Sequence, residues 1–577
     1  MNRATGTATA TRFLRVPGVT MVRDYRRRWL RTDLLAGITV TAYLVPQVMA
    51  YATVAGLPPV VGLWTIIPCL LVYALFGSSR LMSIGPESTT ALMSAATVGP
   101  LAQGDAARYA VLSAALAVMV GLLALAAWLL RLGFVADLLS RPVLIGYMAG
   151  VAALMISGQL SKLTGVPVHG EGFVAEVSSF AAHIGLVDWA TVALGVVALV
   201  FLFVVSWRWP RAPVPLLAVL LGTAAVWFGN LQQHGIKVVG AFTPRPPDLG
   251  WPATSDLMLL ALPAVGVLLV GYTDFILTAR AFETTDSPRV DANQELFALG
   301  TASVAAGAIG GFPISSSGSR TALARAAGAH TQVYSLVSTA ATLVVILVLG
   351  PLLANFPTAV LGAIVVYAAV RLIDLAGFRR LWSFRPEEFL LAIAALGGVL
   401  IFGILTGVVL AVGLSVAEML RRVARPHDAV VGFVPGLAGM HDVDDYPDAD
   451  TVPGLVVYRY DSPLFFANAE DFRSNSLEAV EEYAASGPVY WLLLNMEANV
   501  EVDITAMYAL DALRQELTDE GIVLALTRVK HDLWTPLERF GLVESIGPDY
   551  IFPTLPVAVD AYHRWLAAHG LTDAGPS

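Results

Sequence analysis

Between residues 33 and 424 the chain is a succession of apolar runs of the length that crosses a lipid bilayer. A spanning helix needs about 20 predominantly apolar residues. By that measure, segments fall at 33–56, 59–77, 83–99, 108–130, 140–160, 188–206, 212–230, 257–280, 292–311, 316–327, 332–354, 357–374, 386–403 and 405–424. The third is interrupted by polar residues, and the tenth is far too short to cross. Hydrophobic residues make up 56% of the 577 and charged residues only 14%, where a soluble domain averages about 25% charged. No water-soluble core hides that much apolar sequence, so lipid must solvate most of the chain. The expected class is an α-helical polytopic membrane protein of fourteen spans.

Loop charges test the count. With a cytoplasmic N-terminus, the loops after even-numbered spans hold Arg80, Arg131, Arg141, Arg208, Arg211, Arg280, Arg289, Arg325, Arg371, Arg379, Arg380 and Arg385. The opposite loops hold only Arg108, Lys162, Lys237 and Arg245. That asymmetry follows the positive-inside rule with both ends inside, and a miscount by one scrambles it. Residues 1–32 carry Arg3, Arg12, Arg15, Arg23, Arg26, Arg27, Arg28 and Arg31 and show no cleavable leader pattern, so they are expected to stay in the cytoplasm. Cys69 is the single cysteine, which excludes an intramolecular disulfide and a Cys/His metal spacing. The net charge of -9 argues against a nucleic-acid partner. Nucleophile elbow, Walker loop, HExxH and dinucleotide fingerprint are all missing, so neither catalysis nor ATP-driven transport is expected.

After Arg425 the composition changes. The domain reading is a basic N-terminal segment (1–32), a transmembrane domain (33–425), a linker (426–450) and a soluble domain (451–577). The linker contains the acidic run HDVDDYPDAD, in which Pro447 stands where a calcium loop needs a glycine, so no calcium site is expected. Beyond it, the apolar runs GLVVYRYD, VYWLLLNM and GIVLALTRV alternate with amphipathic stretches near 469–485 and 504–520, and 554–569 reads as a further helix. That order predicts a small α/β domain.

Two short segments carry the chemistry: SIGPESTT (83–90) and GGFPISSSGSRT (310–321). Each joins Gly and Pro to a hydroxyl-rich helix start, and each falls in the third span of its seven-span half. Paired Gly/Pro-broken segments in two halves point to a transporter binding site. A helix that begins inside the membrane leaves about four N–H groups unpaired and about +0.5 charge at its N-terminus. Lipid cannot satisfy those groups, so they face protein or a bound anion.

These residues, with the run DLLAGITVTAYLVPQVMAYA (33–52) and the following Ala55-Gly-Leu-Pro-Pro, resemble the sulfate permease (SulP) family of anion transporters and, within it, actinobacterial sulfate-transporter-like members. The resemblance covers about residues 20–565. It implies two inverted seven-span repeats forming a core and a gate, an elevator-like motion, a homodimer, and a C-terminal STAS domain. It places the anion between the N-termini of spans 3 and 10. Carried over by motif, the lining would be Ser83, Gly85, Pro86, Glu87, Ser88, Ser315, Ser316, Ser317, Gly318, Ser319 and Arg320, with Tyr43, Gln47 and Tyr51 from span 1. Asp274 occupies an acidic position at which bacterial members bind sodium or a proton. Asp274, Thr278 and Glu87 are thus the coupling-ion candidates, with Asp274, Thr278, Ser316 and Gly318 as ligands if the ion is sodium; no other cofactor is implied. Asp503-Ile-Thr505-Ala stands where related soluble domains carry Asp-Ser-Ser-Gly, so Thr505 reads as a helix cap or a phosphorylatable residue.

Each charged or polar candidate has a structural alternative. Gln47 could serve an interhelical hydrogen bond. Glu87 could merely stabilise its own helix dipole. Asp274 could pair with Arg320, and Arg320 could snorkel to the surface. The charges suggest coupling. Two helix N-termini give about +1 and Arg320 adds one. With Glu87 and Asp274 both ionised the site is near neutral, and a proton or sodium ion tips it positive. The expectation is cation-coupled uptake of a small inorganic anion, sulfate first, at the plasma membrane. Bicarbonate or dicarboxylate transport, a nucleobase permease, and a membrane-anchored signalling protein built on the STAS domain are the alternatives.

Overall fold

The structure is a computed structural model that describes residues 16–134, 140–168, 172–209, 212–240, 250, 252–283 and 290–571. Arg3, Arg12, Arg15, Arg211, Arg245 and Arg289, counted above among the charges, lie outside the described residues. The chain divides into two compact units, Met1–Ser415 and Val416–Ser577.

The first unit is helical. Its first half runs through α1 (Pro17–Arg23), α2 (Leu30–Val54), α3 (Pro59–Phe76), β1 (Ile84–Gly85), α4 (Ser88–Ala102), α5 (Ala106–Leu129), α6 (Arg141–Ser157), α7 (Leu160–Thr164), α8 (Phe173–Ala182), α9 (Trp189–Arg208) and α10 (Val214–Phe228). The second half runs through α11 (Thr254–Ala281), α12 (Ala292–Ala308), β2 (Ser315–Ser316), α13 (Gly318–Ala326), α14 (Val333–Val348), α15 (Gly350–Ala354), α16 (Thr358–Leu372), α17 (Leu375–Phe384) and α18 (Pro386–Ala424), whose residues from Val416 onward are counted with the second unit. Each of the fourteen expected segments carries a helix, the last two being the arms of α18, which breaks at Gly403 with φ 82°. Among the described residues, eight helices are long and apolar enough to cross a membrane on length and composition. The third and tenth segments are not among them: α4 has 15 residues and α13 nine.

Aspartates start several long helices. Asp105, Asp188 and Asp291 accept from the first free N–H groups of α5, α9 and α12, satisfying donors that lipid would leave bare. Small residues let the backbones close on one another. Where α5 crosses α12, a Cβ on Gly121 would lie 2.7 Å from the Gly300 carbonyl oxygen, and one on Gly307 2.6 Å from that of Ala114. Close backbone approach of this kind drives helix association in lipid, where the hydrophobic effect is absent. The packing separates two groups. Helix α2 lies against α3, α13 and α14, and α5 lies against α11 and α12; α16 lies against α6, α7 and α9. Helix α2 also touches α10 and α16, so it borders both groups.

The second unit is an α/β domain. Its strands are β3 (Asp428–Phe433), β4 (Met440–Asp442), β5 (Leu455–Tyr460), β6 (Trp491–Asn495), β7 (Val523–Thr527) and β8 (Ile551–Phe552), in the order β4-β3-β5-β6-β7-β8. Strands β5 to β8 are parallel, and β3 runs antiparallel to both its neighbours. Five helices complete it: α19 (Ala469–Ala484), α20 (Ile504–Asp519), α21 (His531–Phe540), α22 (Leu542–Ile546) and α23 (Leu555–Ala568). The two-residue period of the strands decides which core each side chain joins. Val456, Tyr458, Leu492 and Leu494 pack with Phe472, Val480, Leu510 and Leu513 from α19 and α20. Leu455, Val457, Trp491 and Leu493 pack with Ala558, Val559 and Tyr562 from α23.

Two expectations need correction here. Residues 426–450 are not a plain linker, because β3 and β4 extend the sheet and Val431 is buried in the core on the α23 side. The neighbouring acids hid this short alternation. The cap of α20 is Asp503, whose side chain accepts from Ala506 N at 2.9 Å and Phe466 N at 2.8 Å, while Thr505 is exposed within the first turn. Tyr458 donates to Asp428, and Tyr460 donates to Asp471 at 3.0 Å. Burial first, then these carboxylates, pushes both phenols above the ordinary tyrosine value.

Candidate functional site

The two Gly/Pro/Ser segments meet. Strands β1 and β2 pair antiparallel, Ile84 with Ser316 and Gly85 with Ser315. Ser317 N donates to the Ser83 carbonyl at 2.9 Å, and Ser83 N donates to Thr321 Oγ1 at 3.0 Å. Two residues per strand are enough to consume backbone groups that lipid could not satisfy. Gly85 has a φ of 141°, which side-chain-bearing residues rarely adopt. Pro86 follows without an N–H and ends the pairing. Glu87 and Ser317 then cap α4 and α13. Both half-helices therefore start at one crossing inside the protein, with Ser83, Ser315 and Ser316 fully buried.

Arg320 sits in the first turn of α13 and is 0% exposed. Its Nε donates to Ser83 Oγ at 3.2 Å, and its Nη1 to Gln47 Oε1 and the Pro86 carbonyl, both at 3.1 Å. All three partners are uncharged, and Nη2 is buried with no partner. Gly85 runs beside that Nη2, and a Cβ there would stand 3.7 Å from it in ordinary contact but would overlap Ile66 Cδ1, so the packing of α3 leaves no room for a side chain. The snorkelling alternative for Arg320 does not hold. Gln47, on α2 just after Pro46 inside the helix, also donates to Tyr51 Oη at 3.0 Å and Ser319 Oγ at 3.3 Å. Its interhelical bonding is thus bonding to the site arginine. Tyr43, one turn earlier, lies beside Ser319.

The acids are placed differently. Glu87 accepts from Thr89 N at 2.7 Å and from Ser88 Oγ, so its carboxylate covers the N-terminus of its own helix. Asp274, on α11, binds β2 and not Arg320: Ser316 Oγ donates to its Oδ2 at 3.2 Å, and Ser315 Oγ lies 3.4 Å from the same oxygen and 2.7 Å from the Gly271 carbonyl. Thr278, one turn along α11, and Gly318 supply no hydrogen bond to this group, although the sequence grouped them with Asp274.

Two fully buried acids escaped sequence reading. Asp33, at the start of α2, accepts from His330 N at 2.7 Å, Thr331 Oγ1 at 2.7 Å and Tyr25 Oη at 3.2 Å. Glu295, on α12, accepts from Ser78 N at 2.8 Å and Tyr73 Oη at 3.0 Å. Both lie within the apolar segments at 33–56 and 292–311, and that position was the available signal. Their donors come from other segments, the 330–331 loop and Tyr25 for Asp33, and Tyr73 of α3 with Ser78 just past its end for Glu295, so both acids lock elements together.

Half-helices crossing in the membrane around a buried arginine, with a separate soluble α/β domain, define a polytopic transporter fold with a polar centre. The chain matches the Sulfate permease family over residues 30–395 and the STAS domain over residues 446–558. It is 55% identical over 551 residues to probable sulfate transporters of Mycobacterium tuberculosis, covering 95% of this chain and 98% of the relative. Probable sulfate transporter 3.3 of Arabidopsis thaliana is 31% identical over 563 residues, covering 93% and 89%. The fold of the present chain is similar to that of the murine solute carrier 26 family member A9 anion transporter in the inward-facing state, with a TM-score of 0.88, 22% identity and coverage of 97% of this chain and 96% of that one. The transmembrane domain of a cyanobacterium bicarbonate transporter superposes with a TM-score of 0.59 at 23% identity, covering 68% of this chain and 98% of that one. The chain belongs to the sulfate permease family of membrane anion transporters, with a STAS domain at its C-terminal side.

Proposed function

We propose that the chain is a secondary active importer of small anions with sulfate as the preferred cargo. One observation carries the reading: a fully buried arginine, bonded only to neutral groups, keeps Nη2 without a partner where two half-helices begin. An uncompensated charge inside a membrane costs several kcal/mol, so it calls for a counterion. A tetrahedral oxyanion fits, since a guanidinium offers paired planar donors and the N-terminus of α13 adds about half a positive charge. Glu87 offsets the dipole of α4, and an ionised Asp274 offsets Arg320. Neutralising Asp274 with a proton or sodium ion restores a net charge of about +1, and anion binding is thereby tied to cation binding. The oxygens near Asp274, its carboxylate with two serine hydroxyls and the Gly271 carbonyl, suit sodium as a hard cation and also suit a protonated acid. The names of the relatives favour sulfate.

In this reading the chain works as a homodimer in the plasma membrane with both ends cytoplasmic. The group containing α4 and α13 moves past the group containing α16 in an elevator-like step. Proteoliposomes test it with labelled sulfate, bicarbonate and fumarate under an imposed proton gradient, then a sodium gradient. Sulfate accumulation driven by one gradient is expected. Failure of every anion to accumulate under either gradient would sink the proposal; preference for bicarbonate or fumarate would reassign the cargo.

A further inference from the structure

We propose that the start of α2 is a binding surface for the headgroups of anionic phospholipids. The turn before α2 and its first turn carry Arg26, Arg27, Arg28 and Arg31, all exposed. A 3₁₀ turn, Arg27–Trp29, leads into α2, and from Leu30 onward side chains follow the α-helical spacing of about 100° per residue, so the segment has two faces. The inner face holds Tyr25, Trp29, Asp33 and Ala36. Trp29 stacks on His330, with ring centroids 5.5 Å apart and planes at 15°. Asp33 is 0% exposed and is held by His330 N, Thr331 Oγ1 and Tyr25 Oη. These contacts fix the roll of the helix, so the opposite face is turned outward by construction.

That outer face holds Arg27, Arg31, Leu34 and Ile38, with Leu34 43% and Ile38 52% exposed. Arg31 thus continues the stripe of exposed Leu34 and Ile38 at α-helical spacing, and Arg27 extends its positive end from the 3₁₀ turn. A soluble anion would have no use for the apolar half of the stripe; a phospholipid matches both halves, with a phosphate against the guanidinium groups and tails along Leu34 and Ile38. Arg26 lies over the Trp29 ring at 5.4 Å and widens the positive rim. Asp33 turns inward, so Asp24 is the one exposed acid between residues 17 and 38, and it precedes the bend into α2. The inference requires only that the chain be membrane-embedded, and it stands whatever anion is carried.

The test uses the full chain purified in detergent from bilayers containing phosphatidylglycerol and phosphatidylcholine, with retained lipids counted by native mass spectrometry. Wild type should retain phosphatidylglycerol in preference. Arg27→Gln with Arg31→Gln should weaken that retention by roughly fivefold per arginine removed, leaving phosphatidylcholine unchanged. Arg27→Lys with Arg31→Lys should keep most of it, and Arg539→Gln, an exposed arginine of the soluble unit, should change nothing. Undiminished retention in the double glutamine variant overturns the proposal. So does an equal loss in the lysine variant, an equal loss of phosphatidylcholine, or displacement of the lipid by inorganic phosphate.

Discussion

Arg320→Ala separates an anion-binding arginine from a purely structural one. The side chain is fully buried and its three hydrogen-bond partners are neutral. No acid hydrogen-bonds to it. For an anion about 4 Å away in an effective dielectric of about 20, each unit of anion charge interacts with the guanidinium by about 4 kcal/mol. A dianion loses about twice what a monoanion loses, an excess of about 4 kcal/mol, or close to a thousandfold. Water admitted by the truncation raises the local dielectric and trims the excess to roughly tenfold to a thousandfold. Sulfate uptake should therefore fall far more than bicarbonate uptake. Arg320→Lys should recover only part of it, because an ammonium cannot bridge Ser83, Gln47 and the Pro86 carbonyl with one planar fork and still present a free donor. The assay is initial uptake of both labelled anions into proteoliposomes at fixed pH and membrane potential, with thermal unfolding as the folding control. Equal losses for the two anions, together with full rescue by lysine, would refute the reasoning.

Asp274→Asn should abolish accumulation against a gradient while leaving the melting temperature within a few degrees of wild type, because the amide oxygen can still accept from Ser315 and Ser316; wild-type accumulation in the variant removes Asp274 from coupling. Gly85→Ala forces a φ of 141° on a residue with a Cβ, a strain of about 1–3 kcal/mol, so the melting temperature and sulfate uptake should fall together, and an unchanged protein refutes the constraint. The phenol of Tyr458 is raised above its unfolded value of about 10, so its contribution to stability is complete below pH 10 and is lost as pH rises through the folded value. Above pH 10 the soluble unit should weaken by about 1.4 kcal/mol per pH unit from this group; hydrogen exchange at β5 should show Tyr458→Phe with a shallower alkaline decline, and an identical decline counts against the shift.

The spans were legible because lipid permits few solutions: about 20 apolar residues form a helix or nothing. The crossing was legible because Gly85 and Pro86 in one half, and Gly310, Gly311 and Pro313 in the other, interrupt a spanning helix just before a hydroxyl-rich helix start. The direction of Arg320 was not legible. A nine-residue helix allows its arginine to point either way, and the choice is made by Gln47 on α2, far away in sequence. Strands β3 and β4 were hidden by the acids around them, and Asp33 and Glu295 by looking like the common acid near a helix start.

Burial alone does not separate a structural charge from a functional one. Asp33, Glu295 and Arg320 are all 0% exposed. Asp33 and Glu295 each engage both carboxylate oxygens with donors from neighbouring segments, so their hydrogen-bonding capacity is spent within the protein. Arg320 has five N–H donors, and the protein fills only the Nε and Nη1 positions. A buried charge whose bonding is complete is a structural tie, and removing it strands the donors it holds. A buried charge with bonding left over costs stability on its own, and the fold tolerates it only if something else completes it. That residual capacity, located where α4 and α13 begin, distinguishes Arg320 from the two acids and is the feature on which the proposed anion site rests.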